Sequence, residues 1–181
     1  MSTVGIVSVA QRMRNVRALV CDVDGVLTDG RLNYLGDQEI KSFSVLDGFG
    51  ISLAKQAGWN VALLTARGGV AVERRARELG VELETGQRSK GPAFAAICAR
   101  WNVPLENVAY IGDDWLDLPA MLQAGLAATV PNAAAAVRQR AHWLANVQGG
   151  AGAVRELVEA VLGAQGKLDA LLAQYLRGEG A

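Results

Sequence analysis

Short apolar runs, each ending at a turn or an acidic residue and separated from the next by a helix-length segment, recur along most of this chain. Few folds accept that rhythm. The run 17–21 stops at Asp22, the run 60–64 stops at Thr65, and the run 107–111 stops at Gly112. Runs so short and so uniformly apolar suit strands buried on both faces, as in a parallel sheet. Residues 126–130 and 142–144 are shorter candidates, and 81–84 is weaker. The segments between them carry helix punctuation. Segment 47–57 stops at Gly58 and 70–79 at Gly80, where glycine closes a helix in the left-handed conformation. Gly91–Pro92 opens a helix that runs to Trp101. Segment 114–124 ends at Gly125, with Pro119 expected to distort its early turns. The alternation predicts an α/β fold, a parallel sheet with helices on both faces.

The rhythm breaks after Asp22. Two short alternating segments around Gly36–Asp37, within about 30–44, predict a β-hairpin flap beside the carboxyl end of the first strand. The tail, about 150–181, reads as two helical segments broken near 163–166, and 133–136 as the start of a helix. The opening 1–10 reads as a lead-in strand or short helix. Its arginines, Arg12, Arg14 and Arg17, follow the apolar stretch, the reverse of a secretory signal. A length of 181 residues suits one domain, 1–181. The 18 basic and 18 acidic side chains balance, and no lysine or arginine run marks a nucleic-acid surface. No run reaches the roughly 18 apolar residues of a membrane span. Cys21 and Cys98 lack a CxxC or histidine neighbour and read as small buried hydrophobes in a reducing, cytoplasmic setting.

The chemistry concentrates at strand ends. In Asp22–Val23–Asp24–Gly25, two carboxylates close a buried strand, which is costly unless something uses them. A carboxylate there can attack phosphorus, and a second can protonate the departing oxygen and later deprotonate water. Gly25 permits the sharp turn between them. Alone, the pair reads equally well as an acidic loop or a bare metal site. A second cluster, Gly112–Asp113–Asp114–Trp115–Leu116–Asp117, follows another buried strand, and two acidic clusters then meet at one sheet edge. Together with a phosphate they call for Mg²⁺. By itself that cluster is an N-capped helix with an acidic first turn. The Thr65 hydroxyl can donate to a phosphate oxygen, and Arg67 can grip an anion bidentately. Lys90 can offer fixed positive charge to a pentavalent transition state, although a lone lysine before a helix is solvated by default. His142 reads as a packing residue, Trp115 as core or interface ahead of a metal shield, and 73–78 as a solvated helix face.

In this order, DxDG, a strand-end threonine, a lysine and GDDxxD resemble the haloacid dehalogenase superfamily of phosphatases, over residues 17 to about 130. The resemblance implies a Rossmann-like sheet, Asp22 as nucleophile, Asp24 as acid and base, and Thr65 and Lys90 as phosphate-binding groups. It also implies Mg²⁺ held by Asp22, the backbone carbonyl of Asp24, and Asp113, with Asp114 and Asp117 in support. The stretches 22–65 and 90–113 are too short for a cap domain. The hairpin, residues 43–51 and Gly149–Gly150–Ala151–Gly152–Ala153–Val154–Arg155–Glu156 extend the resemblance to the capless 3-deoxy-D-manno-octulosonate 8-phosphate phosphatases, over nearly the whole chain. That group implies a phosphorylated sugar acid as substrate, lipopolysaccharide biosynthesis, and a homotetramer with packed hairpins and a neighbour's tail closing each site. Substrate contacts would come from Asp24, Ser44, Val45, Leu46, Asp47, Gly48, Arg67, Arg75 and Lys90. The chain departs from the group at Leu46, Ser52 and Ala151, where arginine is expected. Two alternatives stand beside this reading: a phosphatase of nonulosonate 9-phosphates, and a non-catalytic oligomerisation module of the kind fused to sugar-activating enzymes.

Overall fold

A computed structural model describes residues 7–179, so most of the lead-in expected at 1–10 lies outside the described residues. Helix α1 (Val9–Asn15) comes first, capped by the Ser8 hydroxyl, which accepts from the Gln11 N–H. Then follow β1 (Ala18–Cys21), β2 (Asn33–Leu35), β3 (Gln38–Ile40), α2 (Val45–Gln56), β4 (Asn60–Leu64), α3 (Val70–Leu79), β5 (Glu82–Glu84), α4 (Lys90–Trp101) and β6 (Val108–Ile111). The chain continues through α5 (Leu118–Met121), β7 (Leu126–Thr129), α6 (Ala135–Arg138), β8 (Trp143–Leu144), α7 (Ala153–Ala164) and α8 (Leu168–Leu176).

Six strands form one parallel sheet in the order β5–β4–β1–β6–β7–β8, while β2 and β3 pair antiparallel as a separate hairpin. Every residue of β1, β6 and β7 is buried, because helices cover the sheet; α2 and α4 both pack on β4, and α7 packs on α2 and α1. Each fully buried leucine or isoleucine in such a layer contributes about 1.5–3 kcal/mol. The α/β architecture expected from the alternating runs is therefore present, with the hairpin after the first strand and no cap domain in the described chain.

Register places the chemistry. Cys21 sits level with Leu63 of β4 and Ile111 of β6, so the residues that follow all emerge at one edge. The chain leaves β1 for β4 on one side and leaves β6 for β7 on the other. The crevice between β1 and β6 is thus the switch point at which open α/β sheets bind ligands.

Some local expectations shift. The helix read at 114–124 is a 3₁₀ turn, Trp115–Asp117, followed by the single turn of α5, in which Pro119 supplies no N–H. Trp115 is 68% exposed, so it packs into no core. His142 accepts the Ala127 N–H through Nδ1, a structural bond just ahead of β8. Cys21 and Cys98 are buried and free. Among the described residues, no helix is long and apolar enough to cross a membrane.

Candidate active site

The chain turns sharply at the end of β1. The Val23 carbonyl accepts from the N–H groups of Leu27 at 2.9 Å and Thr28 at 3.1 Å, and Gly25 takes φ of 90°. A Cβ on Gly25 would lie 2.0 Å from Asp113 Oδ2, so only glycine lets the two acidic loops approach each other. The tail secures the same turn. Gly150 donates to the Val26 carbonyl at 2.8 Å. Asn132 donates to the Gly25 carbonyl at 2.9 Å and accepts the Gly149 N–H at 2.8 Å. A Cβ on Gly149 would come within 1.8 Å of the Gly25 oxygen, which explains the paired glycines of that segment.

Beneath the turn lies a dense charge cluster. Lys90, in the first turn of α4, places Nζ 2.6 Å from Asp22 Oδ1 and 2.6 Å from Asp117 Oδ1. A helix N-terminus disfavours a cation, so the two carboxylates hold it there. Asp117 Oδ1 also accepts from the Tyr110 hydroxyl at 2.7 Å, and Oδ2 accepts from the N–H groups of Asp113 and Asp114 at 3.0 and 3.1 Å. Asp117 therefore ties Lys90, β6 and the second acidic loop together. Asp114 caps the 3₁₀ turn by accepting the Trp115 N–H.

Burial raises the pKa of Asp22 well above the carboxylate range, Asp117 adds to the rise, and Lys90 opposes it. Asp113 is pushed up to about 7, first by burial and then by the Asp117 charge. Three carboxylates against one lysine leave a negative excess that favours binding protons or a cation. Oxygens of Asp22, Asp113 and Asp117 lie within 4.8 Å of one another. An all-oxygen, anionic donor set fits a hard dication such as Mg²⁺. Both Asp117 oxygens are already occupied by four donors, so the open oxygens belong to Asp22 and Asp113.

The first loop also meets the hairpin. Asp24 Oδ1 is paired with Lys41 Nζ, which lies 2.8 Å from Glu39 Oε1. Glu39 Oε2 accepts from Arg67 at 2.7 Å, and Arg67 Nε is 4.0 Å from Asp24 Oδ2. Thr65 is buried, and its hydroxyl accepts the Arg67 N–H at 3.1 Å. One cleft of about 360 Å³ thus gathers Asp22, Asp24, Thr65, Arg67, Lys90 and Asp113, together with Arg88 and Leu116. Sequence reading missed Glu39, Lys41, Arg88 and Asn132. The only signal for Lys41 was its place at the inner end of a hairpin.

The segment 44–48 and Arg75 do not line this cleft. Ser44 is the N-cap of α2, accepting the Leu46 N–H, and Val45 to Gly48 form that helix's first turn. Val45 and Leu46 are exposed, and Leu46 would be the neighbour of any side chain placed at Gly152. Asp47 is buried and accepts from the N–H groups of Gly152, Val154 and Arg155 at 3.2, 2.9 and 3.2 Å, capping α7 from a distant element. Burial raises its pKa while those bonds pull it back. Arg75 donates to the Ser44 carbonyl at 3.2 Å beside Gly48 and lies over the Phe43 ring, lining adjoining pockets. Helix α8 folds onto α2 of its own chain, with Tyr175 edge-on to Phe49 and bonded to Gln56.

Residues 75–157 match the profile of haloacid dehalogenase-like hydrolases. Over 164 residues, 89% of this chain and 87% of the relative, the sequence is 43% identical to 3-deoxy-D-manno-octulosonate 8-phosphate phosphatase KdsC of Yersinia pestis. The same identity and coverage relate it to the KdsC of Escherichia coli K12. The Moraxella catarrhalis 3-deoxy-D-manno-octulosonate 8-phosphate phosphatase, solved with magnesium, phosphate and KDO, superposes with a TM-score of 0.90 at 37% identity, covering 92% of this chain and 97% of that one. The cobalt-bound Haemophilus influenzae phosphatase superposes with a TM-score of 0.88 at 37% identity, covering 92% and 99%.

Proposed function

This chain belongs to the 3-deoxy-D-manno-octulosonate 8-phosphate phosphatases of the haloacid dehalogenase-like hydrolases, and from that premise we propose that it hydrolyses this sugar-acid phosphate with Mg²⁺. The observation that carries the reading is the single cleft in which Asp22, Asp24, Lys90 and Asp113 converge.

Asp22 attacks phosphorus while Lys90, bonded to its Oδ1, fixes the carboxylate and balances charge on the phosphoryl group. The bond from phosphorus to the sugar oxygen breaks, and Asp24 delivers the proton that the leaving alkoxide needs. Water then attacks the aspartyl-phosphate, Asp24 removes its proton, and inorganic phosphate leaves with Asp22 restored. Thr65 lines the same cleft, where its hydroxyl would donate to a phosphoryl oxygen. Asp22, the Asp24 carbonyl and Asp113 would hold Mg²⁺, which when bound would supply the positive charge that lets an anionic nucleophile meet an anionic phosphate. Arg67 and Arg88 at the cleft wall meet the anionic sugar acid.

The hairpin supports a homotetramer. Its strands are three residues each, too little to be stable alone, and Leu32, Tyr34, Leu35 and Ile40 are exposed. Packing of hairpins from four subunits covers those side chains, and it brings the exposed part of segment 44–48, Arg75 and a neighbour's tail towards the substrate's sugar end, while Asp47 stays the buried cap of α7. The enzyme then acts in the cytoplasm, in lipopolysaccharide biosynthesis.

The test is a comparison of kcat/KM for octulosonate 8-phosphate, nonulosonate 9-phosphate and hexose phosphates. A clear preference for the octulosonate is expected, and a preference for the nonulosonate would replace the substrate while leaving the chemistry. Asp22→Asn is expected to lower turnover at least about 10³-fold while the protein stays folded, as read by circular dichroism. An Asp22→Asn variant with unchanged turnover would overturn Asp22 as the nucleophile, and a wild type that releases no phosphate would favour the oligomerisation module.

A further inference from the structure

We propose that Lys41, carried on the hairpin, is a positioning residue for Asp24 that holds its carboxylate where it protonates the departing sugar oxygen. The inference rests on the reading of Asp24 as the acid of the reaction.

Lys41 is out of character with its surroundings. The hairpin is largely exposed, with Tyr34 at 62% and Leu35 at 70%, yet the Lys41 side chain is 3% exposed. Burying an ammonium is costly unless its partners are fixed. Its partners are Asp24 Oδ1 and Glu39 Oε1. Glu39 is itself held, because its other oxygen accepts from Arg67. A chain of alternating charge, Arg67–Glu39–Lys41–Asp24, therefore runs from the cleft mouth to the acid.

The consequence for Asp24 is asymmetric. Oδ1 is clamped by Lys41, whereas Oδ2 is buried without a hydrogen-bond partner, and its nearest cation, Arg67 Nε, is 4.0 Å away. One oxygen fixes the plane of the carboxyl group and the other remains open to give and take a proton. Without Lys41, nothing at hydrogen-bond distance among the described contacts sets that plane. General acid catalysis requires the donor within hydrogen-bond reach of the receiving oxygen, so a carboxyl free to rotate loses much of its effect.

A purely structural role for Lys41, fastening the hairpin to the body, makes a different forecast, and the leaving group separates the two. An alkyl phosphate expels an alkoxide that must be protonated. A p-nitrophenyl phosphate expels a stable phenolate that needs no proton. kcat/KM reports only the steps through the first irreversible one, the departure of that group. For Lys41→Met, kcat/KM is expected to fall about 10²-fold with the alkyl substrate and only a few-fold with p-nitrophenyl phosphate. Lys41→Arg, which keeps the charge, is expected to recover most of the alkyl activity. With a simple alkyl phosphate as the alkyl substrate, which has no sugar or carboxylate for a neighbouring subunit to grip, the ratio of the two values is internal to each preparation, and partial misfolding or weakened assembly lowers both alike. Equal losses on both substrates, or no loss on the alkyl ester, would overturn the positioning role. A wild type inactive on both would overturn the underlying reading, and this role with it.

Discussion

The floor of the cleft and its hairpin wall carry the same kinds of charge and hold them by different means. On the floor, Asp22, Lys90 and Asp117 are almost free of solvent and stand at the end of β1, in the first turn of α4 and in the 3₁₀ turn after β6. Asp117 takes four donors, and Lys90 answers two carboxylates. On the wall, the Arg67 and Glu39 side chains are 45% and 25% exposed, and Glu39 rides on a two-stranded ribbon. A floor charge that loses its partner is stranded in a dry interior, whereas water can replace a partner at the exposed Arg67–Glu39 end of the wall. The phosphoryl chemistry is thus built into the sheet, and the groups that meet the variable part of a substrate sit on elements that can change without collapsing it.

Asp117→Ala breaks the floor most directly. It removes one of two counter-charges from buried Lys90, the acceptor of the Tyr110 hydroxyl, and the bond that holds the Asp113 and Asp114 amides. Loss of one member of a buried pair costs about 3–5 kcal/mol, read as a lowered denaturation midpoint. Turnover falls with it, because Lys90 and Asp113 lose their common anchor. A variant as stable as wild type would show that Lys90 is satisfied by Asp22 alone, and the contrast between floor and wall would lose its basis.

The same contrast governs what sequence could disclose. Strands β1, β4 and β6 were legible because burial on both faces leaves uninterrupted apolar runs, and Asp22, Thr65 and Asp113 stand where those runs stop. Lys90 was legible only through its order among the other motifs. Lys41 was not, since a lysine at a hairpin's end reads as an edge charge, and its burial depends on the ribbon folding back over Asp24. Asp47 looked like a substrate contact in a conspicuous loop, while its bonds go to the start of α7 more than a hundred residues later, which no local pattern encodes. Proline at 119 gave fair warning of irregularity after β6. The 3₁₀ turn that results is closed locally by the Asp117 bonds to the Asp113 and Asp114 amides, while the position of Asp117 is held by Lys90 from a distant element.

A weaker effect on the floor comes from pH. The folded state holds the Asp113 proton to about pH 7 against an ordinary value of 3.8, so it binds that proton more tightly than the unfolded chain. The stability linked to this group is complete below about pH 4 and is lost as pH rises through about 7. Metal-free protein is therefore expected to melt several degrees lower at pH 8 than at pH 5.5. Mg²⁺ competes with the proton for the same oxygens, so its stabilising shift should grow over that window. A Mg²⁺ shift equal at both pH values would mean that the cation does not engage Asp113.

The smallest effect belongs to the wall. Arg67 is about half exposed, and its partners Glu39 and Asp24 keep Lys41 when it is removed. Arg67→Ala is accordingly expected to change stability by less than about 1 kcal/mol, since water takes over an exposed ion pair. Its cost should fall on binding instead. An arginine that meets the substrate's carboxylate equally in ground and transition states raises KM and leaves kcat nearly unchanged when lost. The increase should be larger for the sugar-acid phosphate than for p-nitrophenyl phosphate, which has no carboxylate to grip. If instead kcat falls on the sugar-acid phosphate and holds on p-nitrophenyl phosphate, Arg67 acts through Glu39 and Lys41 on the acid itself, and the wall is then part of the catalytic machinery.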